Sequence, residues 1–173
     1  MTEDPEVLCE VAEHAAFLVS SPDEAPTFLE SVLAKTDDPE VLRRAARGAA
    51  SGFPSQPLLE AVLAKTDDPE VFRVAASKLR FLPWGLWTLE WLVSRTDDPE
   101  ALRSAACGAG FAGAEGIPLL DSIVSKSDDP ELLREAWDGA TMSDRDAVPV
   151  LRWIAGRTKD PELLEAIRSW LPS

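Results

Sequence analysis

The string Thr-Asp-Asp-Pro-Glu occurs three times, at Thr36–Glu40, Thr66–Glu70 and Thr96–Glu100, and close variants stand at Thr2–Glu6, Ser127–Glu131 and Thr158–Glu162. The prolines of these boxes, Pro5, Pro39, Pro69, Pro99, Pro130 and Pro161, are spaced 34, 30, 30, 31 and 31 residues apart. A period of this length marks a stack of supersecondary units, none of which can bury its apolar face without a neighbour. The boxes therefore set the architecture before any single residue is considered.

Each box reads as the start of a helix. A residue that precedes proline avoids the helical region, so Asp38, Asp68, Asp98, Asp129 and Asp160 are placed as N-caps. The proline then takes the first helical position, where its missing N–H costs nothing. The glutamate after it meets the positive end of the helix dipole, and the basic residue before each box (Lys35, Lys65, Arg95, Lys126, Arg157) ends the previous helix at its negative end. Calcium binding by the acidic boxes is set aside, because an EF-hand spreads its oxygen ligands over about twelve residues around a central glycine.

Pro39-Glu-Val-Leu-Arg-Arg-Ala-Ala and its counterparts at Pro69 and Pro99 place apolar residues three and four apart, the pattern of an amphipathic helix. A second helix follows in each unit, as in Pro57-Leu-Leu-Glu-Ala-Val-Leu-Ala-Lys and Pro118-Leu-Leu-Asp-Ser-Ile-Val-Ser-Lys. Ser21–Glu24 and Ser143–Asp146 read as caps that start this second helix in two units. No segment alternates as a strand does. The expectation is an all-α chain of roughly eleven helices, six beginning at the boxes and five between them.

The Pro-Leu-Leu opening of one helix, the Asp-Pro-Glu turn and an arginine one turn into the next helix resemble the HEAT-type repeat. The resemblance covers nearly the whole chain. It implies one domain, 1–173, a solenoid, open or ring-closed, of about six two-helix repeats of 30–34 residues, at about 2–35, 36–65, 66–95, 96–126, 127–157 and 158–173. It further implies a ladder in which Arg43, Arg73, Arg103 and Arg134 meet the box aspartates of adjacent repeats, with Asp68 and Asp98 in the middle. Cys9 and Glu165 break that column at the two ends, and Cys9 then reads as a small, partly buried residue. In HEAT-like solenoids the box helix lines the concave surface. The apolar end, Trp170-Leu171-Pro172, leaves ring closure and a dimer open, although a monomer is expected. Near-verbatim units, six tryptophans and the absence of tyrosine and asparagine point to computational design, and a GC-rich natural gene would give the same composition.

In a repeat protein, the columns that vary are where a site can be placed. A loose zone after the Ala-Ala pair holds Phe17, Phe81, Phe111 and Met142, and the columns before it hold His14, Arg47, Lys78, Cys107 and Asp138. Gly48, Gly108 and Gly139 share one column. Each glycine within a helix costs about 1 kcal/mol relative to alanine, so the column reads either as close helix packing or as room for a ligand. The third repeat departs most, with Phe81, Trp84, Trp87 and Trp91; Trp153 shares the column of Trp91, where Ser31, Ala61 and Ser122 stand elsewhere. The indoles either fill the core or form an aromatic wall or partner hot spot. The pocket expectation joins glycine volume to walls of Trp84, Trp87, Trp91, Trp153, Phe81 and Phe111, with His14, Arg47, Lys78 or Asp138 supplying polar contacts.

Acidic residues outnumber basic ones 31 to 17, a net charge of −14, which makes nucleic acid and anionic membrane poor partners. An acidic start is not the basic region of a signal peptide, and no apolar run reaches membrane length. Cys9 and Cys107 make no disulfide framework or zinc spacing, which suits a reducing, cytoplasmic setting or a soluble recombinant protein. His14 is the lone histidine, and no phosphate loop or hydrolase motif is present. No metal, cofactor or catalytic residue is therefore expected, though a grafted site using Cys107 or His14 stays open. The first functional expectation is a binding module for a small, largely apolar molecule. The alternatives are a protein- or peptide-binding solenoid using its concave face, or a ligand-free scaffold.

Overall fold

The computed structural model describes residues 4–18, 31–51, 56–79, 85–142 and 147–171. These hold ten α-helices with both ends defined: α1 (Pro5–Leu18), α2 (Pro39–Ser51), α3 (Gln56–Ala64), α4 (Pro69–Leu79), α5 (Gly85–Arg95), α6 (Pro99–Phe111), α7 (Ile117–Lys126), α8 (Pro130–Thr141), α9 (Val148–Arg157) and α10 (Pro161–Trp170). Residues 31–33 are also helical, and there is no strand among the described residues. All six box helices begin on their prolines. The caps expected at Ser21–Glu24 and Ser143–Asp146 lie outside the described residues.

The boxes are built as their sequence requires. Asp98 is extended (φ −67°, ψ 121°) and its carboxylate accepts the Ala101 N–H. Asp129 accepts Leu132 N–H, and Asp160 accepts those of Glu162 and Leu163. Such a cap contributes about 1 kcal/mol. The first residue of the box also has a role. The Thr66 and Thr96 hydroxyl oxygens accept the N–H of Asp68 and Asp98 at 3.0 and 3.1 Å, and Ser127 does the same for Asp129. A Thr or Ser two residues before the cap thus fixes the turn that presents it.

The helices form two layers. The box helices α1, α2, α4, α6 and α8 each pack on the next in order, and so do the second helices α3, α5, α7 and α9. Every second helix also touches the box helices before and after it. Leu42, Leu59, Leu63, Phe72, Leu89, Leu92, Leu102, Leu120 and Ile123 are buried between the layers. The alanine pairs Ala45-Ala46, Ala75-Ala76 and Ala105-Ala106 are fully buried, so box helices approach closely with no side-chain bulk between them. After α6 the chain turns at Gly113, whose φ of +62° disfavours a side chain, and a short 3-10 turn, Gly113–Gly116, leads into α7. Among the described residues no helix is long and apolar enough to cross a membrane.

Candidate binding surface

Two sets of ion pairs hold the units in register, one for each aspartate of a box. The second aspartate links a unit to the one before it. Arg43 Nη2 donates to Asp68 at 3.0 Å, and Arg73 grips Asp98 through Nε and Nη2 at 2.9 and 2.8 Å. Arg134 Nη2 donates to Asp160. The Arg73 fork is bidentate, the strongest geometry for such a pair, and Asp98 is only 10% exposed at its side chain. Hydrogen bonding from Arg73 accordingly holds the Asp98 carboxyl below its ordinary range, and Arg134 does so for Asp160. Arg103 departs from the expected ladder: its partners are Glu131 of the next box and Glu100 of its own, with no Asp129 contact. Nothing in the structure explains that exchange.

The first aspartate clasps its own unit. Lys65 pairs with Asp37 at 3.1 Å and Lys126 with Asp97 at 3.0 Å, and Arg95 and Arg157 pair with Asp67 and Asp128. Lys65, Arg95, Lys126 and Arg157 therefore each do more than complement a helix dipole. Each reaches back to the start of its own unit, and Lys126 also donates to the Thr96 carbonyl at 3.0 Å. Hydrogen bonding from Arg157 holds Asp128 below the ordinary carboxylate range.

The clasp accounts for two of the tryptophans. The Arg95 guanidinium lies 4.7 Å from the centre of the Trp91 ring, and that of Arg157 lies 4.2 Å from Trp153. Where the clasp cation is lysine, at Lys65 and Lys126, the residue four earlier is Ala61 or Ser122, and before Lys35 of the first unit it is Ser31. Where the cation is arginine, that residue is tryptophan. Each indole is a platform on which a planar guanidinium stacks. The signal was present in the sequence as a matched pair of columns four residues apart, but only the geometry gives it a meaning.

Trp87 has no such role. It lies one turn before Trp91 on α5 and is 75% exposed. Its column holds Pro118 and Pro149, both exposed, so the position faces solvent on α7 and α9 as it does on α5. Trp91 is 36% exposed, while Phe111 and Met142, at the ends of box helices, are each 57% exposed. Trp84 and Phe81 lie outside the described residues, as does the side chain of Phe17. Trp137 and Trp170, which the varying columns did not single out as walls, pack partly buried against the core.

Of the two readings of the glycine column, close helix contact is the one that fits the geometry at two positions. A Cβ on Gly48 would stand 2.2 Å from the Glu13 carbonyl oxygen of α1. One on Gly139 would stand 3.0 Å from the Ala106 carbonyl oxygen, and Gly110 faces Gly139 so closely that its own Cβ would fall 2.3 Å from the Gly139 Cα. The missing side chains are replaced by the backbone of the adjacent box helix. Gly108 is buried as well. Helix contact, the plainer of the two readings, accounts for Gly48 and Gly139.

The polar residues expected to orient a ligand are all exposed and stand on four different helices, α1, α2, α4 and α8. His14 is exposed, with Nδ1 2.9 Å from the Glu10 carbonyl oxygen of its own helix. Lys78 and Asp138 are exposed on α4 and α8, and Arg47 pairs with Glu13 at 3.7 Å. Cys9 is buried and Cys107 half-buried, with no disulfide between them. Burial pushes the Cys9 thiol up, with Glu40, Asp38 and Glu13 adding to the effect against Arg44. Three clefts lined by described residues have charged walls. The largest, about 400 Å³, is bordered by Glu6, Cys9, Glu10, Asp38, Glu40 and Arg44, where the ladder column has Cys9 in place of arginine. The others lie at Glu100–Arg103–Glu135 and at Asp128–Arg157–Asp160. None of the three is walled by indole. No protein-family model, curated protein or solved structure matches the chain.

Proposed function

We propose that this chain is a HEAT-like α-solenoid of about six two-helix units that serves as a non-catalytic module, docking a protein or peptide on an exposed helical face. The observation that carries this reading is Trp87. It is a large ring, three-quarters exposed on an ordered helix, in a column that the other described units fill with proline, and it has no part in the clasp. An exposed tryptophan contributes nothing to the core, whereas tryptophan is enriched among the few residues that carry most of an interface's energy. A small-molecule pocket built on the glycine column is the weaker reading, because backbone occupies the space beside Gly48 and Gly139.

Selection of displayed peptides on the wild-type protein and on Trp87→Ala tests this. Peptides enriched on the wild type are expected to bind the variant about thirtyfold more weakly, the loss of a hot spot worth about 2 kcal/mol, with melting temperature almost unchanged because the ring is exposed. Enriched peptides that bind both proteins equally would remove Trp87 from the interface. Saturable one-to-one binding of a small apolar dye, with no peptide enriched, would favour the small-molecule reading.

A further inference from the structure

We propose that the partner of this face is a basic amphipathic helix lying across α3, α5 and α7, an inference that rests on the docking reading above and gives its partner a chemistry. The second helices lie side by side, and their outward columns align. The column next to that of Trp91 holds Glu60, Glu90 and Asp121, all exposed, on three successive helices. It runs into Arg152 on α9, also exposed, so the acidic row spans three helices and ends on a cation.

The aromatic and acidic elements are adjacent. Glu90 lies one turn after Trp87 on α5 and so neighbours it on the helix surface, while at the Trp91 column the flanking helices carry only Ala61 and Ser122. The indoles of α5 are thus the largest side chains of their two columns on α3, α5 and α7, where the same columns carry Pro57, Pro118, Ala61 and Ser122. A chain of net charge −14 draws a cationic partner to such a face and repels an acidic one.

Spacing selects the partner's conformation. Packed helices lie about 8–10 Å apart, so carboxylates on successive helices repeat at about that distance. In an α-helix, residues seven apart lie on nearly the same face and are separated by about 10.5 Å. In a strand, residues on one face repeat at about 6.6–6.8 Å or twice that, which fits the row poorly. A helix with lysine or arginine every seventh residue therefore sets one cation against each of Glu60, Glu90 and Asp121. An apolar flank on the same helix covers Trp87.

The test titrates the full chain calorimetrically with three synthetic helices of the same leucine flank. One carries lysines seven residues apart, one the same lysines five apart, and one glutamates in place of the lysines. The first is expected to bind at least about tenfold more tightly than either of the others, with affinity falling as salt rises. Asp121→Lys and Glu90→Lys, both at exposed positions, are each expected to weaken it about tenfold, and Trp87→Ala about thirtyfold. Equal binding of the lysine and glutamate helices, or charge reversals that leave affinity unchanged, overturns the basic-helix assignment. If Trp87→Ala still weakens displayed peptides that are neutral or acidic, the docking reading stands and this assignment alone falls. If peptides of every charge are indifferent to Trp87, both fall.

Discussion

Thr88 is 1% exposed on α5, and its hydroxyl has no hydrogen-bond partner among the described residues. The same column holds Leu119 and Val150, both buried, so the position belongs to the core and the hydroxyl brings only a desolvation cost. A buried polar group left unpaired costs about 1–3 kcal/mol. Thr88→Val, nearly the same shape, is therefore expected to raise stability by about 1 kcal/mol in chemical denaturation, and a loss would mean that the hydroxyl is solvated. Gly110 gives a prediction of the opposite sign. An alanine there meets the Gly139 Cα at 2.3 Å, against backbone that cannot rotate away. Gly110→Ala is expected to cost about 1–3 kcal/mol through overpacking. Gly156, with nothing within 4 Å of an added Cβ, should accept alanine with no loss, and equal penalties at the two sites would refute the close-contact explanation.

At the scale of the helix, the matched columns of tryptophan and arginine make a prediction that neither residue makes alone. If Trp91 serves as the platform of Arg95, Trp91→Ser costs only about 0.5–1 kcal/mol, as an exposed cation–π contact does, and not the roughly 3–5 kcal/mol of a core tryptophan. Combined with Arg95→Lys, which recreates the Ser122–Lys126 pair of α7, it should cost less than the two single changes together. Additive costs in a double-mutant cycle would dismiss the platform. The boxes and amphipathic stretches of the box helices were legible in the sequence because caps, prolines and helical periodicity act locally, and α2, α4, α6, α8 and α10 begin where those signals place them. The purposes of Gly48 and Gly139 were not legible, since a missing side chain reads alike whether backbone or ligand takes its space. Nor was the exchange of Arg103 onto Glu131, which depends on how two units settle against each other. Trp87 was visible as an anomaly, but its exposure and the stacking of Arg95 on Trp91, which separate the two indoles, come only from the geometry.

Across the whole molecule, the ion pairs make acid the condition that loosens the fold. Asp98, Asp128 and Asp160 titrate below their ordinary range because Arg73, Arg157 and Arg134 donate to them. Their depressed folded-state pKa means that the unfolded chain takes up protons first as pH falls. Their contribution is thus fully present above the unfolded value of about 3.9 and is lost as pH drops through the lower folded values. From these groups, melting temperature should be level between neutrality and about pH 5 and fall below about pH 4. Asp98→Asn should melt lower at neutral pH yet lose less on acidification. A variant that tracks the wild type at every pH would show that the Arg73 link adds nothing.

The division of labour between the two aspartates has a consequence for how the chain can change length. Residues 66–95 carry a complete clasp, Asp67 with Arg95, and offer one aspartate upstream and one arginine downstream, Asp68 and Arg73. A tandem copy of that segment would receive Arg73 of the first copy on its own Asp68 and present its own Arg73 to Asp98, so no carboxylate or guanidinium of these pairs is stranded at either junction. Whole segments can be added or removed with the pairing intact, whereas a cut one residue short would put the linking aspartate where the clasping one belongs. Growth by duplication is thus permitted in whole units.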